Sequence, residues 1–278
     1  MKGLGRVHRL EVLRETGSGY FLGGAPFEID ILLPGSDVDE HLEPTEEIDV
    51  FIHLDSEDRP VATTKRPYAQ VGDFAALKVV GSTNVGAFLD WGLPKDLFLP
   101  FGEQRDTAER GDIVLVAIFV DLETERIAAS AKLDRFVGPP PRDLRDGDPV
   151  QLVIGRKSPL GFECLVNDDF LGLIHSAQVT SPIKTGDSVN GWIAKIRPDG
   201  KIDLSLTAPK GGSHEQIGQQ ILGLLEAGDG KLDLGDRSDP KLIHERLGCS
   251  KKEFKRALGK LYKAGKVIPG PRETRIKR

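Results

Sequence analysis

Cysteine is nearly missing from this 278-residue sequence: Cys164 and Cys249 stand 85 positions apart. Two such residues make no disulfide framework and no zinc site by themselves, which excludes a small disulfide-stapled fold and a cysteine-rich metalloprotein. Long apolar runs are missing as well. No stretch approaches the ~18 apolar residues of a membrane span, and the opening MKGLGRVHRL lacks the apolar centre of a signal peptide. Catalytic signatures are equally scarce. His8, His41, His53, His175, His214 and His244 show no paired metal spacing, and Gly228-Asp-Gly-Lys231 has neither the spacing nor the Ser/Thr of a phosphate loop. No Gly-x-Ser-x-Gly elbow occurs. Asp37, Asp39, Glu40, Glu43, Glu46 and Glu47 lack the glycine that a calcium loop needs at its sixth place, and read as a solvated loop. These absences point to a cytoplasmic, non-catalytic protein without cofactor, metal, membrane partner or small-molecule substrate.

Present instead is a charge asymmetry. The formal net charge is −5, yet residues 241–278 carry 13 Lys/Arg against 3 Asp/Glu, and residues 1–63 carry 5 basic against 14 acidic residues. A basic end on an acidic body points to a polyanionic partner for that end. The alternative is a merely solvated Lys-rich face.

The length is about twice the ~100–150 residues of a common domain, and internal repeats show how it is divided. Sliding the sequence by 75 positions lays residues 72–130 on 147–205 without a gap: Gly72-Asp73 falls on Gly147-Asp148, Gly86 on Gly161, Gly111-Asp112 on Gly186-Asp187, and Ser130 on Ser205. A fainter copy lies upstream, where Gly19-Tyr-Phe-Leu22 answers Gly86-Ala-Phe-Leu89 and Leu32-Leu-Pro34 answers Phe98-Leu-Pro100. In the second copy, Phe74–Val80, Val85–Asp90, Lys95–Leu99, Ile113–Asp121 and Arg126–Ala131 read as strands. Five short strands in about 65 residues predict a small closed barrel, because closure removes exposed edges. Thr63–Pro67 separates the first two copies, Gly138-Pro-Pro-Pro-Arg142 is a stiff spacer before the third, and Ala208-Pro-Lys-Gly-Gly212 ends the barrels.

Beyond Ser213 the period becomes helical. Ser213 and Gln216 form a capping box ahead of Ile217, Ile221, Leu224 and Leu225. Asp239-Pro240 opens a short helix bearing Leu242, Ile243 and Leu247. Ser250 and Glu253 cap a third helix that buries Phe254, Ala257, Leu258, Leu261 and Tyr262 and stops at Gly265; Cys249 staples onto Phe254. Val267-Ile268 and Thr274–Lys277 complete a β-wing. This order predicts a winged helix-turn-helix. The fold class is thus three tandem five-stranded OB-type β-barrels followed by an α+β winged-helix domain, with boundaries at 1–63, 64–137, 143–207 and 213–278.

Gly172-Leu-Ile-His-Ser176, Lys184-Thr-Gly-Asp-Ser-Val189 and Lys201-Ile-Asp-Leu-Ser-Leu206 resemble the signature of the S-one RNA-binding domain. With Lys95-Asp-Leu-Phe-Leu-Pro-Phe101, Arg126-Ile-Ala-Ala-Ser130 and Ser250-Lys-Lys-Glu-Phe-Lys255, the chain resembles the conserved virulence factor B family of bacterial RNA-binding regulators, strongly over 68–278 and weakly over 1–63. The resemblance implies RNA binding and gene-expression regulation, and it places His175 on the binding face. The RNA-facing aromatic stands two residues after the strand-two glycine, as Phe88 does; in the third barrel that place holds Glu163, with Phe162 beside it, and His175 aligns with Pro100. Neither barrel carries the complete set, which predicts modest affinity from each and little base discrimination.

OB barrels hold single strands by stacking bases on aromatics and tracking phosphates with Lys/Arg. The candidates in barrel two are Phe88 as a platform, Phe101, Lys95 and the nearby Arg105, with Phe98 read as core; Trp91 reads equally as packed or exposed. In barrel three they are His175, Lys195, Arg197, Lys201 and Trp192, the last reading equally as a binding edge or a packed wall. In the winged helix, Lys251, Lys252, Lys255, Arg256, Lys260 and Lys263 lie opposite the apolar stripe, and Arg272, Arg275, Lys277 and Arg278 extend the field. Such residues mainly contact phosphates. The first barrel, being acidic, is expected to be structural or to bind a protein. The favoured function is single-stranded RNA binding by barrels two and three with the winged helix; the alternatives are a duplex-DNA transcription regulator and a ribosome-associated scaffold.

Overall fold

The computed structural model describes residues 2–39, 41–179, 182–208, 214–228 and 230–277, without the side chains of 214–216, 226 and 227. The expected Ser213–Gln216 capping box and the Arg278 contribution lie outside the described residues. The chain divides into two compact units. The first holds Met1–Pro139, Val153–Leu171 and Pro182–Ser188, and the second Pro140–Leu152, Gly172–Ser181 and Val189–Arg278, so the strands of the third barrel are shared between them.

The three predicted barrels are all present and closed. The first comprises β1 (Val7–Thr16), β2 (Gly19–Gly23), β3 (Ile31–Pro34), β4 (Glu47–Leu54) and β5 (Pro60–Thr63). The second repeats the plan with β6 (Phe74–Ser82), β7 (Gly86–Asp90), β8 (Leu97–Pro100), β9 (Ile113–Val120) and β10 (Ile127–Ser130). The third has β11 (Pro149–Ser158), β12 (Gly161–Val166), β13 (Phe170–His175), β14 (Ser188–Ile196) and β15 (Ile202–Ser205). In each, the third and fifth strands run parallel and close the barrel. The alternation in Leu97-Phe-Leu-Pro100 puts Leu97 and Leu99 inside, while Phe98 and Pro100 face out. Register shifts at Val12/Arg14, Val79/Gly81 and Ile193/Lys195 bend long strands around their barrels. Gly86 is needed where β7 meets β8: a Cβ there would lie 2.5 Å from the Leu99 carbonyl oxygen.

A 3₁₀ turn follows the third strand of each barrel, at Gly35–Asp37, Phe101–Glu103 and Ser176–Gln178. In the first two it delivers a carboxylate to the end of the fifth strand. The buried Thr63 hydroxyl donates to Asp37 at 2.5 Å, and the buried Ser130 hydroxyl donates to Glu103 at 2.5 Å. Lys65 closes on Asp37 at 2.8 Å and Arg135 on Glu103 at 2.6 Å. Asp37 therefore departs from the expected solvated loop. Burial raises its pKa, but hydrogen bonds from Lys65 and Thr63 outweigh that and hold it below the ordinary carboxylate value.

The joins within the first unit are packed rather than free. Phe51 of β4 is fully buried in the core of barrel two, beside Val79, Leu89, Trp91 and Leu97. The backbone N–H of Val71 donates to the Gly5 carbonyl at 2.8 Å, and that of Tyr68 to the Trp91 carbonyl at 2.8 Å. A second seam joins Leu115, Ala117 and Leu133 to Leu165, with Phe74, Phe136 and Val153 against it.

In the second unit, α1 (His214–Ala227), β16 (Lys231–Leu232), α2 (Pro240–Leu247), α3 (Lys251–Lys263), β17 (Val267–Pro269) and β18 (Thr274–Ile276) form the winged helix, with a sheet in the order β16-β18-β17. Asp239 caps α2 through Lys241 N–H at 2.8 Å, and Ser250 and Glu253 make both bonds of the capping box on α3. Cys249 shares the core with Phe254; burial raises its thiol pKa. Three features depart from the sequence reading. The short strand β16 pairs with β18, while Leu242 and Tyr262 face out at 40% and 59% exposure. Tyr262 lies beyond the arc set by Phe254, Ala257 and Leu258.

Replacing Asp37 by Ala should lower stability by about 1–3 kcal/mol at neutral pH, since it orphans the buried Thr63 hydroxyl and the Lys65 ammonium. Because folding depresses the Asp37 pKa below its ordinary 3.8, this contribution is present above that value and fades as pH falls below it. Urea unfolding of both proteins at neutral and acid pH should show the gap closing in acid; a constant gap would contradict the clamp.

Candidate nucleic-acid interface

The best-formed site in the first unit is a cleft of about 660 Å³ on the outer face of barrel two. Strand pairing places Phe88 of β7 opposite Phe98 of β8, and the two half-buried rings lie 5.4 Å apart at 43°. Phe98 is therefore not a core residue as read from the sequence. Its neighbours Leu97 and Leu99 point inward, so period two sends its ring outward beside Phe88. Lys95 and Arg126 line the same cleft, together with His53 and Leu54 from barrel one. The acidic first barrel thus supplies part of the wall.

Each of these side chains is positioned by a traceable contact. Lys95 Nζ donates to the Asp55 carbonyl at 2.9 Å, so the exposed ammonium is held at the inter-barrel seam. Arg126 is ion-paired with Asp58. His53 stacks on Phe51 at 6.4 Å and 17°. Burial depresses its pKa, and the positive charge of Lys95 adds to that, leaving a neutral ring near pH 7. Trp91 is different: it is 4% exposed, meets Phe51 edge-on at 5.6 Å, and donates its indole N–H to the Lys95 carbonyl at 2.7 Å. A ring so covered offers no face to a base, so Trp91 is a packing residue rather than a stacking platform. Phe101 is 61% exposed on its 3₁₀ turn and does not line the Phe88 cleft. Arg105 is ion-paired with Asp134.

In the second unit, the inward residues Ile174, Leu204 and Ile193 lie side by side on β13, β15 and β14. Alternation therefore puts His175, Asp203 and Trp192 together on the outer face. His175 Nε2 and Asp203 Oδ1 are 3.0 Å apart. Trp192 is half-buried, whereas Lys195 and Lys201 are exposed. Arg197 pairs with Asp199 at 3.2 Å. Phe162, on the part of barrel three that belongs to the first unit, is half-buried with Lys157 Nζ 5.9 Å from its ring centre.

The winged helix presents the densest positive field. Phe254, Ala257 and Leu258 bury one side of α3, and Lys252, Lys255, Arg256, Lys260 and Lys263 are exposed on the other, with Lys251 half-buried at its start. Within this array Lys255 lies 3.9 Å from Asp236. On the wing Arg272 and Lys277 are exposed, but Arg275 is held by Glu273 at 2.7 Å, which also takes Lys231 at 3.0 Å. Hydrogen bonds from Lys231 and Arg275 keep the Glu273 pKa low, so this carboxylate offsets part of the wing's charge. Among the described residues no cluster of His, Cys, Asp and Glu is placed to hold a metal ion, and no helix is long and apolar enough to cross a membrane.

Phe88, His175 and the α3 cations are candidates already at the level of the sequence; the fold adds Phe98, His53 and Arg126 to the Phe88 cleft. The alternation of Leu97-Phe98-Leu99 carried the signal for Phe98. Nothing local could have brought His53 to barrel two, since that depends on how two barrels pack.

Two domain-family models match parts of this chain. An S1 domain model matches residues 4–65 and a CvfB-like winged helix domain model matches residues 219–276. The S1 match falls on the first barrel, where the likeness had been read as weakest. Both are nucleic-acid-binding rather than catalytic domain families. The uncharacterized protein YitL of Bacillus subtilis is 29% identical over 273 residues, covering 95% of this chain and 90% of the relative. Conserved virulence factor B of Staphylococcus aureus is 28% identical over 272 residues, covering 94% and 89%. A crystal structure of a multidomain protein with nucleic acid binding domains from Streptococcus pneumoniae is 23% identical, with a TM-score of 0.45 and coverage of 99% of both chains.

The two aromatic roles separate by substitution. Trp91→Ala should cost about 3–5 kcal/mol of stability, as for a fully buried large side chain, and Phe88→Ala distinctly less because its ring is half-exposed. Thermal unfolding of both variants checks this; an unchanged melting temperature for Trp91→Ala would remove Trp91 from the seam.

Proposed function

We propose that the chain belongs with the conserved virulence factor B proteins, and that it is a non-catalytic protein that binds single-stranded RNA and regulates gene expression in the cytoplasm. The observation that carries this reading is the outward Phe88–Phe98 pair in a cleft flanked by Lys95 and Arg126. Stacking on two aromatic faces requires unpaired bases, because a duplex keeps its bases stacked on one another. The ammonium and guanidinium at the rim suit the phosphates that flank such bases. Asp96, Asp121 and Thr124 also line the cleft, so its attraction for a strand rests on base stacking more than on charge, and stacking is sequence-tolerant. The exposed cations of α3 then add phosphate contacts that position the strand without reading it.

A second reading has its own support. Lys252, Lys255, Arg256, Lys260 and Lys263 sit on the helix that a winged helix-turn-helix lays into the major groove. In that case α3 reads duplex DNA and the barrels are accessory.

Fluorescence anisotropy with labelled single-stranded RNA and matched duplex DNA, across a salt series, separates the two. Phe88→Ala should weaken RNA binding by about 5–150-fold, equivalent to ~1–3 kcal/mol for one stacked base. Replacing Lys252, Lys255, Arg256 and Lys260 by Gln should weaken all sequences alike and lower the salt slope by up to ~3, at ~0.7 per lost single-strand phosphate contact. Duplex DNA binding that exceeds RNA binding and ignores Phe88→Ala would favour the second reading.

A further inference from the structure

A second cavity of the first unit shares no lining residue with the aromatic cleft. It has a volume of about 450 Å³ and lies where the 104–112 loop and β9 of barrel two meet the β11–β12 hairpin of barrel three. Four cationic side chains line it: Arg105, Arg156, Lys157 and Lys184. Their states differ. Arg105 is committed to Asp134. Lys157 approaches only the Phe162 ring, and Lys184 has no carboxylate within ion-pair distance among the described residues.

Arg156 is the informative one. Its Nε is buried and has no hydrogen-bond partner among the described residues, and its nearest carboxylate, Asp106, stands at 3.6 Å, longer than a hydrogen bond. The Arg156 side chain is 39% exposed overall, so with Nε covered and unpartnered the guanidinium still has donors to offer an acceptor in the cavity. Three carboxylates also line the cavity and do not fill that need. Asp106 is 65% exposed and can turn to water, Asp112 accepts the backbone N–H of Glu109 at 2.9 Å, and Glu163 makes no ion pair with these cations. The site is also preformed. The Thr185 hydroxyl donates to the Gly155 carbonyl at 2.9 Å and ties the Lys184 loop to β11, and the Lys184 N–H donates to Asp187 at 2.8 Å.

We infer that this cavity is a phosphate-binding site, in which the Arg156 guanidinium forks onto one phosphate group and Lys157 and Lys184 neutralise it. The planar guanidinium matches two oxygens of a tetrahedral oxyanion, while the ammonium groups act as point charges. The phosphate comes either from the backbone of a bound RNA strand or from a free phosphate compound. The RNA source rests on the function proposed above; the phosphate chemistry does not.

The test uses the full-length protein, with inorganic pyrophosphate and a labelled single-stranded RNA as probes. Pyrophosphate binding is followed by the ³¹P resonance, and RNA binding by its salt slope. The variants are Arg156→Gln and, because Arg156 is partly buried, a Lys157→Gln/Lys184→Gln double variant at exposed ammonium groups that leaves the core alone. The wild type should broaden and shift the pyrophosphate signal and both variants should abolish or sharply weaken the effect. If RNA is the source, the salt slope also falls by ~0.7 for each phosphate contact removed. Loss of pyrophosphate binding with an unchanged RNA slope assigns the site to a free phosphate compound. Failure of the wild type to bind RNA, with pyrophosphate binding still lost in the variants, would overturn the proposed function and leave the phosphate site standing. Pyrophosphate binding and RNA slope both unaffected in the variants would overturn the inference.

Discussion

Everything at the aromatic cleft depends on the apolar seam between Phe51 and Trp91. Phe51 leaves its own barrel to be fully buried in the core of the next, and Trp91 meets it edge-on while its N–H fixes the Lys95 carbonyl. That single hydrogen bond folds the turn back on itself, so the Lys95 ammonium reaches the Asp55 carbonyl of barrel one. His53, two residues from Phe51, stacks on its ring and lines the same cleft as Phe88 and Phe98, and its burial keeps it neutral. Two barrels that would be independent modules on a string become one surface, with the base-stacking pair supplied by one and part of the wall by the other. Burying two large aromatic rings contributes several kcal/mol, enough to make the join a fixed feature rather than a passing contact.

The charge distribution fits a division of labour within this frame. Barrel one is acidic, but what it offers to the cleft is an uncharged imidazole and an aliphatic chain. Three of its carboxylates are occupied by cations: Asp37 in the clamp on Thr63 and Lys65, Asp55 with Arg59, and Asp58 with Arg126 in the cleft itself. The repulsion expected of an acidic barrel is thus muted where it would matter. Among the described residues, Lys252, Arg256, Lys260 and Lys263 on α3, and Lys157 and Lys184 in the first unit, are cations without an ion pair.

Much of the fold was legible because its signals are local. The repeat of turn glycines fixed the number of barrels, and strand limits read from Phe74 to Ala131 fall within a few residues of those observed. Asp239-Pro240, Ser250 with Glu253, and the αL residue Gly248 mark the helix ends because capping chemistry involves only near neighbours. The site was less legible. Phe88 followed from its distance to Gly86, but Phe98 was misassigned although the same alternation governs it. Trp91 could not be settled at all, since its burial is decided by Phe51, forty residues upstream. His53 and the orphaned Arg156 belong to the same class: each acquires its role from packing between repeats, which a one-dimensional pattern does not encode.

The central claim is that unpaired bases enter a cleft built by two barrels together. Photocross-linking of a 4-thiouridine-substituted single-stranded RNA to the full-length protein, with adducts mapped by mass spectrometry, tests it most directly. The account predicts base adducts on Phe88 or Phe98 and on His53 of barrel one, which lines the same cleft. Adducts confined to α3 and the wing, with none at the cleft, would contradict it.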